Sequence, residues 1–126
     1  MISLLVLQAM LGPIGQQPLP PTGCAAYLWS VGDRQLVAMA APERLRIQLD
    51  GKPLDLARTT AEGSAGLGLA TTTHYRTGDV AATLELTVSD RGDVAKGAWV
   101  PDATLTVAPA GRDEIVTPLG GMVGCA

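Results

Sequence analysis

From Cys24 onward, apolar and polar residues alternate with a period of two and are interrupted at short intervals by glycine turns, the pattern of an antiparallel all-β domain. Gly-Asp recurs at Gly32-Asp33, Gly78-Asp79 and Gly92-Asp93, where a glycine at the first central position suits a two-residue type II′ turn. Asp50-Gly51 carries the complementary type I′ signal. A two-residue turn also fixes which residues face each other across the hairpin. Across Asp50-Gly51 it pairs Ile47 with Leu54 and Leu45 with Leu56, and sets Arg46 opposite Asp55 on the other face. Across Gly78-Asp79 it pairs Tyr75 with Ala82, Thr73 with Leu84, Thr71 with Leu86 and Leu69 with Val88. Thr72, His74, Thr83 and Glu85 then share the outer face. A slip of one residue would send either apolar set to solvent.

The hairpin at Gly32-Asp33 differs, because both of its faces are apolar. A two-residue turn there puts Tyr27, Trp29, Leu36 and Ala38 on one face and Ala26, Leu28, Val37 and Met39 on the other. Such a hairpin is either covered on both sides or displays an apolar patch to a partner. A conflict arises near Trp99. A turn at Gly92-Asp93 points Trp99 inward beside Leu86, whereas a tight Pro101-Asp102 turn sends Leu105 and Val107 outward. A bulge at Gly97, or a longer loop around Pro101, would reconcile the two. Ala103 to Val107, Glu114 to Leu119 and Met122 to Cys125 are further short strands, and Glu43 to Arg46 is a turn or a strand start. The expected fold is an antiparallel meander of about eight or nine short strands closed as a small barrel or a two-layer sandwich.

Residues 24–126 read as this single domain, preceded by a signal-peptide-like leader over 1–15 and a proline-rich spacer over 16–23. The apolar run of about ten residues from Ile2 to Leu11 matches a signal-peptide core and falls short of the ~20 that cross a bilayer, so no transmembrane span is expected. The competing reading makes the run a first strand or helix of the domain. Two cysteines, Cys24 and Cys125, bracket the body, and in an exported chain they read as one disulfide joining the first strand to the last. A lipid anchor at Cys24 is disfavoured, because Pro21 stands where a lipobox carries an aliphatic residue. The chain is 47% hydrophobic but rich in alanine, with no Phe, two Tyr and two Trp, which implies a small core that gains from a covalent staple.

The formal charge is −3 and the nine Lys and Arg are scattered, so there is no basic stripe for nucleic acid. His74 is the sole histidine and falls among threonines on an outward face. A catalytic pair would rest on it alone, and a zinc site would need more ligands than His74 and two distant cysteines supply. Neither a catalytic residue nor a metal or cofactor site is expected. Arg91-Gly92-Asp93 is explained by turn chemistry. The Glu62 to Gly68 segment (EGSAGLG) lacks the Lys-Ser/Thr ending of a phosphate loop and reads as a flexible connector, a common place for contact residues. The candidate binding residues are Ser64 and Gly66 in this loop and the aromatics Tyr27, Trp29, Tyr75 and Trp99.

Between Gly51 and Leu86 the chain resembles the bacterial C-type lysozyme inhibitor family, small disulfide-containing periplasmic β-barrels. The matching parts are Gly51-Lys52-Pro53-Leu54 entering a strand, the loop with Ser64 and Gly66, and Tyr75-Arg76-Thr77-Gly78-Asp79 before an alanine-rich strand. The resemblance implies that Ser64 corresponds to the loop serine that engages lysozyme. Thr77 occupies the family's lysine position, and the loop tyrosine has no counterpart. The function read from the chain is therefore a non-enzymatic periplasmic or secreted β-domain that binds a protein or envelope component, and the resemblance implies an inhibitor-like mode of binding. A structural or accessory subunit of an envelope assembly is the alternative, and an enzyme using His74 or a carboxylate pair is the third reading.

Overall fold

In the computed structural model, which describes residues 10–89 and 97–126, nine strands follow in order. They are β1 (Leu11–Gly12), β2 (Cys24–Ser30), β3 (Leu36–Ala40), β4 (Arg44–Leu49), β5 (Lys52–Glu62), β6 (Thr72–Thr77), β7 (Val80–Ser89), β8 (Gly97–Pro109) and β9 (Ile115–Cys125). Strands β2 to β9 pair in sequence order, and β9 returns to pair with β2, giving an eight-stranded antiparallel up-and-down barrel. Of the two closures the alternation allows, the barrel is the one formed. No helix among the described residues is long and apolar enough to cross a membrane.

Eight strands enclose a space just wide enough for side chains to fill. Leu28, Leu45, Ile47, Leu56, Leu105, Val107, Leu119 and Val123 fill it, and Ala26, Ala38 and Ala40 line the β2–β3 side. Small residues let the walls approach each other closely there. A Cβ on Gly121 would overlap the carbonyl oxygen of Tyr27 and lie 2.9 Å from its carbonyl carbon. No buried side-chain nitrogen or oxygen among the described residues lacks a hydrogen-bond partner.

Two hairpins have the register their turns dictate. Ile47 faces Leu54, Leu45 faces Leu56 and Arg46 faces Asp55, with Asp50 and Gly51 both at positive φ. Tyr75 faces Ala82 and Thr73 faces Leu84 across Gly78, itself at positive φ. The second ladder stops at Thr72, although Leu86 N still donates to Thr71 O at 3.0 Å. Leu69 does not reach Val88. It turns back to bridge Gly66 and buries its side chain at the end of the core.

The first hairpin departs from the expected register. Its left-handed residue is Arg34 rather than Gly32, and a bulge at Val37 makes Leu28 face Ala38 while Trp29 faces Leu36. The extra residue transfers Met39 to the face that carries Tyr27 and Trp29, and Ala38 to the core. The conflict at Trp99 is resolved in a similar way. Pro101 and Asp102 form a bulge inside one long β8, not a turn, so Ala103, Leu105 and Val107 point inward while Trp99 points outward. Proline fits there because a bulge leaves a residue out of the ladder. Gly92-Asp93 lies outside the described residues.

Cys24 and Cys125 stand directly opposite each other on β2 and β9, joined by a disulfide with the Cα atoms 4.0 Å apart. At the other end of the barrel, Leu11 and Gly12 pair with Leu49 and Gln48 of β4, just beyond the stretch of β4 that pairs with β3. The end of the 1–15 segment is thus part of the sheet, and residues 1–9 lie outside the described residues. Arg112 Nη2 reaches Asp50 Oδ2 at 2.6 Å, tying the β8–β9 turn to the β4–β5 turn.

Candidate functional site

The cross-strand registers place one row of large apolar side chains on the outer wall. Met39 on β3 faces Tyr27 on β2, Tyr27 faces Met122 on β9, and Met122 faces Trp99 on β8. One step along β2, Trp29 lies on the same face between Leu36 and Gly120. Trp99 is 38% exposed, and Tyr27, Trp29, Met39 and Met122 are half-buried. None of these five side chains belongs to the interior cluster. Aromatic and methionine side chains offer large, adaptable contact area.

Beside Met39 the row continues into polar chemistry. Arg46 on β4 binds Asp55 on β5 through two contacts, Nε to Oδ1 at 2.8 Å and Nη2 to Oδ2 at 3.2 Å. The guanidinium holds the Asp55 carboxyl below the usual carboxylate range. Its third nitrogen, Nη1, donates to Gln17 Oε1 at 2.9 Å. The proline-rich segment therefore crosses this wall. Tyr27 OH donates to Pro18 O at 2.7 Å, and the Leu19 and Tyr27 side chains lie over Gly124, where a Cβ would come within 2.9 Å of Leu19 Cδ2 and 3.3 Å of Tyr27 Cε1. Partial burial raises the Tyr27 hydroxyl pKa.

The candidate residues thus separate into three places. Tyr27, Trp29 and Trp99 share the outer wall. Tyr75 is buried in the barrel at 2% exposure, its hydroxyl donating to Ala41 O at 3.0 Å, and burial pushes its pKa up to about 12. It is a packing residue and is absent from the surface. Ser64 and Gly66 lie in the β5–β6 loop beside the disulfide end. That loop is ordered by Ala65 N donating to Leu69 O at 2.8 Å and Leu69 N donating to Gly66 O at 3.0 Å. Its tip is Leu67, at φ 56° and 43% exposed. The pattern missed Leu67 as a displayed side chain, although the flanking Gly66 and Gly68 signalled a tight turn.

His74 is on the outer face, its Nδ1 3.1 Å from Thr83 Oγ1. No group of three or more His, Cys, Asp or Glu able to hold a metal comes together among the described residues. Met39 and Met122 were missed as site residues because their place in the row depends on the Val37 bulge and on the β2–β9 pairing, neither of which is local in sequence.

No protein-family model, curated protein or solved structure matches the chain.

Proposed function

We propose that this chain is a non-enzymatic exported β-barrel domain whose outer wall, formed by β3, β2, β9 and β8, binds a protein or cell-envelope component. The observation that carries this reading is the row Met39, Tyr27, Met122 and Trp99, aligned across four adjacent strands and separate from the core. A barrel whose interior is already filled gains no core packing from such a row, and grouped apolar surface on a soluble domain commonly marks an interaction site. The disulfide, spanning 101 residues, is consistent with an oxidising compartment, and a periplasmic or secreted location is part of the proposal.

The test incubates the purified chain with a c-type lysozyme and, separately, with envelope extract. Readouts are lytic activity and co-elution, with Trp99→Ala as the control. Retention or inhibition that Trp99→Ala abolishes supports the reading. Absence of both, or binding indifferent to Trp99, removes it. The accessory-subunit alternative is separated by size exclusion of native material: a large assembly that Trp99→Ala dissociates favours it over a free binding domain.

A further inference from the structure

The wall already holds an occupant from its own chain, and the way that segment is held defines a ligand. Pro18, Pro20 and Pro21 fix φ near −65° at three of four successive positions, which keeps Pro18 to Pro21 extended in the polyproline manner. No strand includes residues 13–23. The segment is instead gripped by side chains. Tyr27 OH takes the Pro18 carbonyl at 2.7 Å, Arg46 Nη1 takes the Gln17 side chain at 2.9 Å, and Leu19 lies over the space left by the missing side chain of Gly124. Proline-rich extended segments dock on aromatic surfaces, and here the Tyr27 ring and hydroxyl, a seat for an aliphatic residue and a flanking polar contact supply such a surface. The grip is also light. Leu19 is 61% exposed, Pro18 and Pro21 are exposed, and Trp99 and Met122 extend the apolar row past Tyr27.

Resting on the binding function proposed above, we infer that the partner of this wall is a proline-rich extended peptide segment, and that residues 17–21 occupy its groove in cis as a displaceable stand-in. The ligand pattern is a side chain with an acceptor oxygen, then proline, then an aliphatic residue, then proline. Arg46 reads the acceptor, Tyr27 the first proline carbonyl, and Gly124 with the Tyr27 ring the aliphatic side chain. Tethering gives the cis segment an effective concentration in the millimolar range, so an incoming peptide competes against it and an intact chain binds weakly.

The experiment uses the full chain with Pro18→Gly, Leu19→Ser and Pro20→Gly, which removes the proline stiffening and the Leu19 side chain and so loosens the segment while leaving β1 and Cys24 untouched. It is titrated with a peptide of the natural 15–22 sequence, Gly-Gln-Gln-Pro-Leu-Pro-Pro-Thr, while the emission of Trp99 and Trp29 is followed. The expected result is a saturable change whose half-point is at least tenfold lower than in the unsubstituted chain. Adding Tyr27→Phe should weaken binding about five- to tenfold, the worth of one hydrogen bond. No saturation at several millimolar, equal binding of a peptide with alanine for every proline, or indifference to Tyr27→Phe overturns the inference.

If the triple variant does not fold, the unsubstituted chain is titrated with the same peptide and followed by NMR. Saturating shifts of the Gly124 and Met122 amides support displacement, and unmoved resonances overturn it. Self-association of the natural chain that Tyr27→Phe abolishes would make a second copy the occupant and overturn a separate partner. Retention of an envelope component through Trp99 without peptide binding would sink this inference alone, leaving the binding function intact.

Discussion

The hydroxyl of Tyr75 and the carbonyl oxygen of Ala41, 34 residues apart in sequence, meet at 3.0 Å and link β6 to the β3–β4 turn at the disulfide end of the barrel. The ring is buried at 2% exposure, so the bond is shielded from water on the core side. Tyr75→Phe removes this bond and leaves Ala41 O with the longer turn bond from Arg44 N at 3.3 Å, so it should cost about 1 kcal/mol in urea unfolding. The same burial predicts alkaline lability. The Tyr75 pKa rises to about 12 in the folded chain against about 10 when unfolded, because burial disfavours the phenolate. The unfolded chain therefore sheds this proton first. The stability contributed is fully present below about pH 10 and is lost as pH rises toward 12, on the order of 2–3 kcal/mol. Ultraviolet titration alongside unfolding at each pH checks this, and Tyr75→Phe should flatten the profile over that window.

Gly121 and Gly120 are neighbours on β9 with opposite tolerances. A methyl on Gly121 would run into the Tyr27 backbone, whereas one on Gly120 would find its nearest atom, Val100 O, at 3.6 Å. Gly121→Ala should destabilise by about 3 kcal/mol or more, because backbone cannot give way as a side chain can, and Gly120→Ala should stay within about 1 kcal/mol. Thermal unfolding of both variants tests the contrast. Equal effects would mean that β2 and β9 are further apart than this register requires.

Joining Cys24 to Cys125 closes a loop with a sequence separation of 101. In the chain-entropy model a loop of that length contributes about 4–5 kcal/mol by restricting the unfolded chain. Replacing both cysteines with serine should lower stability by about 3–5 kcal/mol. Strands β2 and β9 should remain paired in whatever fraction stays folded, because seven residue pairs align them independently of the bond. Denaturant melts with and without reductant measure the first effect, and amide exchange along β9 the second.

Leu67 is a bulky residue in the left-handed region, at φ 56°, on an exposed loop tip. Glycine meets no Cβ clash there, so Leu67→Gly should be neutral or stabilising by up to about 1 kcal/mol, even though it adds freedom to the unfolded chain. A shift of the urea midpoint upward, with an unchanged slope, is the expected reading. A clear loss of stability would show that the Leu67 side chain contributes packing at the barrel end.

Local chemistry made the β4–β5 and β6–β7 hairpins legible in advance. The Asp50-Gly51 and Gly78-Asp79 turns sit between alternating segments, so turn geometry and face agree without help from the rest of the chain. The pairing of Cys24 with Cys125 was legible too, because a chain with two cysteines offers each a single intramolecular partner. The aromatic residues Tyr27, Trp29 and Trp99 could be named as candidates, but nothing in the pattern said that they share a wall.

That sharing was decided by closure. Bulges at Val37 and at Pro101-Asp102 shift the outward set by one residue, bringing Met39 and Trp99 into line with Tyr27 while Leu105 and Val107 turn inward. A bulge is set by the twist and stagger that eight strands need to meet, a property of the whole sheet that no short window encodes. The same holds for residues 11–19, which belong to the barrel only because β4 leaves an edge for Leu11 and Gly12 and because Tyr27 and Arg46 reach the chain passing over them. Composition and turn residues determined an all-strand, disulfide-closed domain. Long-range pairing, which takes its free energy from contacts far apart in sequence, decided which side chains face outward together.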